Sequence, residues 1–337
     1  MKIKQLPEDF LVKEINSLKT GSINGKYCAF TLKKKYWNTI DAVREIAKRI
    51  GINESDIRYS GLKDRNAITE QLITVDITNH KIVQRVKIND ISLEFLGMAE
   101  RHAETSDNNG NQFAITIRDI EKKYARLPKK IPNYYDEQRF GNESNNHDVG
   151  RLMVKKKFKE ACDLLKITAA DNDYVSALKK TGTSHIYFSA YQSYLFNMAL
   201  SYLIRKDCKK FTEIDISGMK LAFPGSSKCI EGFPERLPLI NFDAEFEDER
   251  VKEAYESILS QEVINPRDFA LRQFPNLVSS SPERQALISV EGFKVKGYSE
   301  DELNKGRKKQ IVGFSLPRGS YATMVIKALI GKDLLIQ

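Results

Sequence analysis

Apolar residues recur at every second position in the first third of the chain, at helical spacing through the middle, and at every second position again near the end. A period of two requires a pleated strand with one face buried, and a period near 3.6 requires a helix with one buried stripe. In residues 27–33 (YCAFTLK) the alternation predicts a strand. Asn38 then opens a helical pattern through Ile40, Val43, Ile46 and Ile50, and Gly51 closes it. Residues 57–62 and 68–77 read as two strands joined by a polar turn with Lys63, Asp64, Arg65 and Asn66 at its tip. Residues 91–96 and 113–117 read as two more strands, and the polar stretch 102–111 before the second is predicted to be an exposed loop.

Helical spacing takes over at 148–165 and 190–204, and returns near 249–259 and 282–289. Between these lies a Pro/Gly-rich stretch with Pro224, Gly225, Gly232, Pro234 and Pro238. Strand character resumes at 310–316, followed by a PRGS loop and a helix over 321–330. The two switches of period predict an α+β fold interrupted by an insertion. No internal repeat is visible.

Length and composition narrow the class. A chain of 337 residues is one large domain or two, and 41% hydrophobic residues excludes a disordered chain. Lys plus Arg number 54 against 45 Asp plus Glu, a net charge of +9 that favours a polyanionic partner, most commonly nucleic acid. The basic clusters at 33–35, 129–130, 155–157, 209–210 and 307–309 are ordinary solvated surface as readily as a binding face, and acidic residues at 243–249 oppose them. Cys28, Cys162, Cys208 and Cys229 lie far apart with no metal-ligand spacing, which points to a reducing compartment. His80, His102, His147 and His185 form no zinc pattern, so no metal is expected. No apolar run has the ~18 residues of a membrane span, and the first ten residues are no signal peptide. A cytoplasmic protein without a membrane partner is expected, compatible with a monomer.

Two segments could carry chemistry. In GLKDRN (61–66), a carboxylate between Lys63 and Arg65 would have its charged form favoured by both neighbours, and an ionised Asp can act as a nucleophile. An ordinary exposed turn, where Asp is common, fits the same spacing. PNYYDEQRFG (132–141) mixes aromatics, an Asn and an Arg, as a loop gripping a planar base would. A structured loop whose rings pack on the core fits equally. Phe10 in LPEDF and Tyr321 in PRGSY are aromatics beside turn-forming residues. The helix SAYQSYLFNMAL (189–200) reads as packing, with Tyr191, Tyr194, Leu195 and Met198 on its buried side. Gly-rich phosphate loops and Gly-x-Ser-x-Gly are absent, which disfavours ATP-driven and nicotinamide-linked chemistry; no cofactor is expected.

Taken together and in order, LPEDF, SGLKDRNAITEQ, RHAE…GNQFAITIR, PNYYDEQRFG, SAYQSYLFN and LPRGSYATMVIKALI resemble the TruD family of tRNA pseudouridine synthases over nearly the whole chain. The resemblance implies a pseudouridine-synthase catalytic domain around a mixed sheet at 1–156 and 289–337, with a family-specific domain inserted at 157–288. It implies isomerisation of uridine to pseudouridine in tRNA, at position 13, with no cofactor. It makes Asp64 the nucleophile, Lys4 its basic partner, and Phe10, Asn133 and Tyr321 the lining of the uridine pocket. Tyr135 and Tyr321 stand where bacterial relatives often carry Phe, so stacking is kept and two hydroxyls need partners. A non-catalytic RNA-binding protein or tRNA folding chaperone on the same scaffold would keep the basic surface and aromatics without needing the aspartate.

Overall fold

The computed structural model describes residues 1–277 and 281–331, which fall into two compact units. The first comprises 1–125 and 290–319, the second 126–289 and 320–337. Residues 126–156 and 320–331 group with the second unit.

The first unit is an eight-stranded mixed sheet. A single 3-10 turn, Pro7–Asp9, leads into β1 (Phe10–Asn16), whose inward positions are Phe10, Val12 and Glu14. β2 (Tyr27–Lys35) buries Cys28, Phe30 and Leu32 against Val43, Ile46 and Ala47 of α1 (Thr39–Ile50). The predicted caps hold: Asn38 Oδ1 accepts the Asp41 N–H at 2.8 Å, and Gly51 takes the left-handed φ of 74°. β3 (Ile57–Tyr59) and β4 (Ile68–Val75) pair antiparallel. A short helix α2 (His80–Gln84), β5 (Ile91–Ala99) and β6 (Asn108–Ile120) follow.

The predicted loop at 102–111 is corrected in its second half. β6 begins at Asn108, and Asp107 and Asn108 are buried. Polar residues can be buried there because they are paired: Arg101 holds both Asp107 oxygens at 2.5 and 2.8 Å.

The chain then builds the second unit. It starts with β7 (Lys130–Pro132), α3 (Asn146–Val154), α4 (Phe158–Leu164) and α5 (Tyr174–Lys180). The predicted helix over 148–165 is therefore two helices, broken at Lys156, whose φ is 59°. α6 (Ser184–Asp207) is the spine, buried on most sides rather than along one stripe. α3 crosses it closely enough that a Cβ on Gly150 would lie 2.2 Å from the Tyr187 carbonyl oxygen. An unpredicted hairpin, β8 (Phe211–Ile216) and β9 (Met219–Pro224), leads into the Pro/Gly-rich stretch, which holds β10 (Arg236–Pro238), and α7 (Glu249–Glu262) follows.

The helix predicted at 282–289 is instead two short strands, β11 (Glu283–Gln285) and β12 (Leu287–Ser289). Each finds an antiparallel partner, β10 for β11 and β7 for β12, so their backbone groups are satisfied across strands. Cys208, which caps the end of α6, is joined to Cys229 in a disulfide, while Cys28 and Cys162 are buried thiols. The cysteine spacing gave no sign of this pair, since the chain between them folds back through the β8–β9 hairpin.

The chain returns to the first unit as β13 (Glu291–Glu300) and β14 (Lys308–Pro317) and ends in the second as α8 (Ala322–Gly331). The strand order of the large sheet is β13-β14-β6-β1-β4-β2-β5, with β3 also on β4. Among the described residues, only β1 and β4 of this sheet run parallel. One edge of β4 carries β1 along Ile68–Glu70 and β3 along Ile73–Val75, so residues 60–67 leave β3 where the end of β1 faces them. Among the described residues no helix is long and apolar enough to cross a membrane.

Candidate active site

Residues 60–67 are pinned along most of their length. The Ser60 hydroxyl donates to Glu14 Oε1 at 2.5 Å, and the Gly61 carbonyl accepts from Gln71 Nε2 at 2.9 Å. The Lys63 N–H donates to Thr39 Oγ1 at 2.9 Å, and that hydroxyl donates on to Gln71 Oε1 at 2.9 Å. Lys63 Nζ lies 2.5 Å from Glu14 Oε2, with the two side chains 6% and 1% exposed. Arg65 Nε donates to the Tyr36 carbonyl at 3.1 Å. The cations beside Asp64 in sequence are thus engaged elsewhere, Lys63 by a buried glutamate and Arg65 by a carbonyl.

A cation for Asp64 comes from the chain's beginning: Lys4 Nζ lies 2.6 Å from Asp64 Oδ2, with both side chains part-exposed. Lys4 has φ 57°, a left-handed conformation that costs roughly 1–2 kcal/mol for a residue with a Cβ. The surrounding structure imposes it. Lys2 exchanges two backbone hydrogen bonds with Arg118, at 2.9 and 2.8 Å, and Leu6 N–H donates to Asp9 Oδ2 at 3.0 Å. Asp9 is in turn held by Arg118 at 2.8 Å, and Arg118 also binds Asp301 at 2.9 Å in a buried triad. Lys4 Nζ also sits 4.1 Å from the centroid of the Phe10 ring. That ring is 4% exposed and packs edge-on against Phe113. Lys4, Phe10 and Asp64 are therefore one cluster in the first unit.

Asn133, Tyr135 and Tyr321 form another, in the second unit. Asn133 lies just beyond β7, with its N–H on the Ala286 carbonyl at 2.8 Å. Its side-chain amide donates to the Gln285 carbonyl at 3.0 Å and accepts from Arg284 Nη2 at 2.8 Å. Each half of the amide keeps one further proton or lone pair. The backbone of Tyr135 is bracketed by the buried Asn197 of α6, which accepts from its N–H at 2.8 Å and donates to its carbonyl at 2.9 Å.

The Tyr135 ring meets Tyr321 edge-on at 6.1 Å, and the Arg284 guanidinium covers it at 4.0 Å from the centroid. Burial is the main cause that lowers the Arg284 pKa, and burial likewise raises that of Tyr321. Lys327 of α8 binds Asp136 at 2.5 Å and Glu137 at 2.8 Å, tying the helix after Tyr321 to the segment after Tyr135. This segment is thus a structured loop with Tyr134 and Phe140 fully buried, Glu137 and Gln138 exposed and Arg139 half-buried.

Sequence reading missed Glu14, Thr39 and Gln71 in the first cluster and Arg284 in the second. A signal for Glu14 was present: it continues the inward series Phe10, Val12 of β1, where a carboxylate has no reason to be unless it is paired.

The comparisons with known proteins agree along the chain. A model of the family described as tRNA pseudouridine synthase D (TruD) matches residues 1–172 and 228–329. A Methanosarcina acetivorans protein named "Probable tRNA pseudouridine synthase D" is 28% identical, over 98% of this chain and 93% of its own length. The tRNA pseudouridine synthase D of Aquifex aeolicus is 26% identical over 99% of both. A crystal structure from Methanosarcina mazei, assigned as a tRNA pseudouridine synthase D (TruD), shares the fold with a TM-score of 0.73 at 23% identity, covering 97% of this chain and 93% of that one. With the family matched over most of its length and the same fold found in a solved structure, the chain belongs to the TruD family of tRNA pseudouridine synthases.

Proposed function

We propose that this chain isomerises uridine to pseudouridine in tRNA, at position 13, with Asp64 as the nucleophile and Lys4 as its basic partner. The observation that carries this reading is the Asp64–Lys4 pair at 2.6 Å on a loop anchored at Ser60, Gly61, Lys63 and Arg65. A part-exposed carboxylate is held there in one place beside a cation that favours its charged, nucleophilic form. In the reaction the N1–C1′ bond breaks, the uracil turns, and a C5–C1′ bond forms; C5 loses its proton and N1 takes one up, so product and substrate are isomers. Atoms and electrons balance without a redox partner, so no cofactor is required. Asp64 attacks C1′ of the ribose or C6 of the base.

The target nucleotide must leave its stack, at a cost of a few kcal/mol. Aromatic contact returns about 1–3 kcal/mol per base, and phosphate contacts of the basic surface supply sequence-independent affinity. Tyr321, Tyr135 and Asn133 are proposed to bind the uridine. The spare donor and acceptor of the Asn133 amide complement the carbonyl and N3–H of a uracil edge. Phe10 is proposed to contact the nucleotide when Lys4 moves off its ring. The insertion is proposed to span 157–288 in the order of the chain, with the flanking 126–156 and 320–331 grouped in the same compact unit.

A non-catalytic RNA-binding protein would have no use for a pinned aspartate with its own lysine. The cytoplasm, which holds tRNA, is the proposed compartment; the Cys208–Cys229 disulfide is unusual there, since reducing pools keep thiols open.

The test uses tRNA labelled with tritium at uridine C5. Release of label into water, with pseudouridine mapped to position 13, supports the reading. Binding of tRNA without release supports the non-catalytic alternative, and release mapped to another position keeps the chemistry and rejects the position.

A further inference from the structure

The inward stripe of β2 runs Cys28, Phe30, Leu32, and its next position is Lys34, which is 1% exposed. A lysine stands where the pattern calls for a core residue. Its ammonium donates to the Trp37 carbonyl at 2.7 Å, the Asp64 carbonyl at 3.1 Å and the Lys63 carbonyl at 3.2 Å. An ammonium has three protons, so these three acceptors satisfy it. All three are main-chain carbonyls. A buried ammonium whose hydrogen bonds go to neutral acceptors is costly compared with an apolar side chain of the same volume. What that cost achieves is specific: it ties the turn before α1 to the two residues at the tip of the Asp64 loop.

We propose that Lys34 is a positioning residue for the reaction, its ammonium gripping the main chain at Lys63 and Asp64 so that the Asp64 carboxylate stays in register with Lys4. Asp64 is then held twice, by Lys34 at its carbonyl and by Lys4 at its carboxylate. The proposal rests on the reading of Asp64 as nucleophile.

The grip depends on pH. Burial lowers the pKa of Lys34 to about 8; the charge of Asp64 opposes the shift and that of Lys63 adds to it. The ammonium is present below that value. Above it the neutral amine offers two protons and a lone pair to three carbonyls, and the grip loosens. The other charges near it are accounted for: Lys4 is on Asp64, Glu14 is on Lys63, and Arg65 donates to Tyr36. The residues paired with Lys34 across the sheet, Thr69 on β4 and Ile91 on β5, carry no titrating group. On α1, Asp41 and Arg44 pair with each other at the surface.

The experiment measures single-turnover pseudouridine formation and tRNA affinity between pH 6.5 and 9 for wild type and Lys34→Met. The wild-type rate should fall above about pH 8 while affinity holds and the melting temperature does not drop, since losing the buried charge favours the folded state there. Lys34→Met, similar in length but uncharged, should bind tRNA within threefold of wild type, react roughly ten- to a hundredfold more slowly at pH 7 and lack the break near pH 8. A break from the substrate or another group would persist in Lys34→Met and overturn the proposal. So would a wild-type rate flat from pH 7 to 9, or a folded Lys34→Met with the wild-type rate. If Lys34→Met does not fold, Lys34→Arg replaces it: a guanidinium stays charged throughout, so the break must move above pH 8, and a break left at 8 refutes the assignment. Wild-type protein that makes no pseudouridine at any pH overturns the functional reading first and this one with it.

Discussion

Removing Glu14 from beneath the Asp64 loop should destabilise the protein sharply, and removing Lys63 as well should undo most of the damage. Lys63 Nζ and Glu14 Oε2 are 2.5 Å apart in side chains that are 6% and 1% exposed, so solvent cannot take over from either partner. Truncating one member of a buried pair leaves an uncompensated charge and costs about 3–5 kcal/mol. Glu14→Leu also takes an acceptor from the Ser60 hydroxyl, at 2.5 Å, and from Asn16 Nδ2, at 2.9 Å. Lost hydrogen bonds of this kind add roughly 1 kcal/mol each where the group cannot turn to water. Lys63→Met leaves the carboxylate with those two donors and should cost less than Glu14→Leu, about 3 kcal/mol.

In Glu14→Leu/Lys63→Met two apolar side chains replace two charges, and such swaps are often neutral or stabilising. The double variant should therefore be more stable than Glu14→Leu alone, with a favourable coupling of at least ~2 kcal/mol. Urea unfolding followed by circular dichroism on the four proteins measures the cycle. Equal midpoints for Glu14→Leu and wild type, or a double variant as unstable as the two losses added together, would refute the reasoning.

Three further outcomes are expected. Arg118→Met leaves Asp9 and Asp301 buried without their shared cation. Burial alone would raise the Asp301 pKa, but hydrogen bonds from the Asp119 N–H, Asn304, the Leu303 N–H and Arg118 outweigh it and hold it well below the usual carboxylate range. In wild type that stabilisation is full above about pH 4 and is lost as pH falls through the depressed value. In Arg118→Met the stranded carboxylates take up protons more readily, so the stability deficit should be widest at pH 7 and shrink toward pH 4.5; a constant deficit in thermal melts refutes this. Tyr321→Phe should keep most activity, while Tyr321→Leu should lose about ten- to a hundredfold in single-turnover rate, from ~1–3 kcal/mol of lost stacking; a stable Tyr321→Leu protein at wild-type rate removes Tyr321 from the site. Thiol titration of the denatured, unreduced protein should count two thiols, Cys28 and Cys162, and a count of four would exclude the disulfide.

How far the fold could be read from sequence followed from how local the signals were. α1 was legible to its caps because Asn38 and Gly51 act within one turn. The GLKDRN turn was legible because the strands either side pair with each other. β1 was not: its neighbours are β4, reached only after the chain has run through β2, α1 and β3, and β6, which is further still. Without β1, Glu14 had no face to be assigned to. The strands at 283–289 were misread as a helix because their partners, 130–132 and 236–238, are distant and short. Asp64 and Phe10 were candidates from their own segments, Lys4 was named only through family resemblance, and composition could not have joined the three. Lys34 was in view in the run KKK at 33–35, but a charge cluster does not say which of its members turns inward.

The measurement closest to the central claim is a comparison of Asp64→Asn with wild type on one tRNA transcript, following affinity and single-turnover pseudouridine formation together. The substitution keeps size and one acceptor oxygen but removes the charge that Lys4 meets. The account predicts affinity within a few-fold of wild type, because phosphate contacts are spread over many lysines and arginines, and pseudouridine formation reduced to background. Asp64→Asn protein that converts the same uridine within tenfold of the wild-type rate would contradict it.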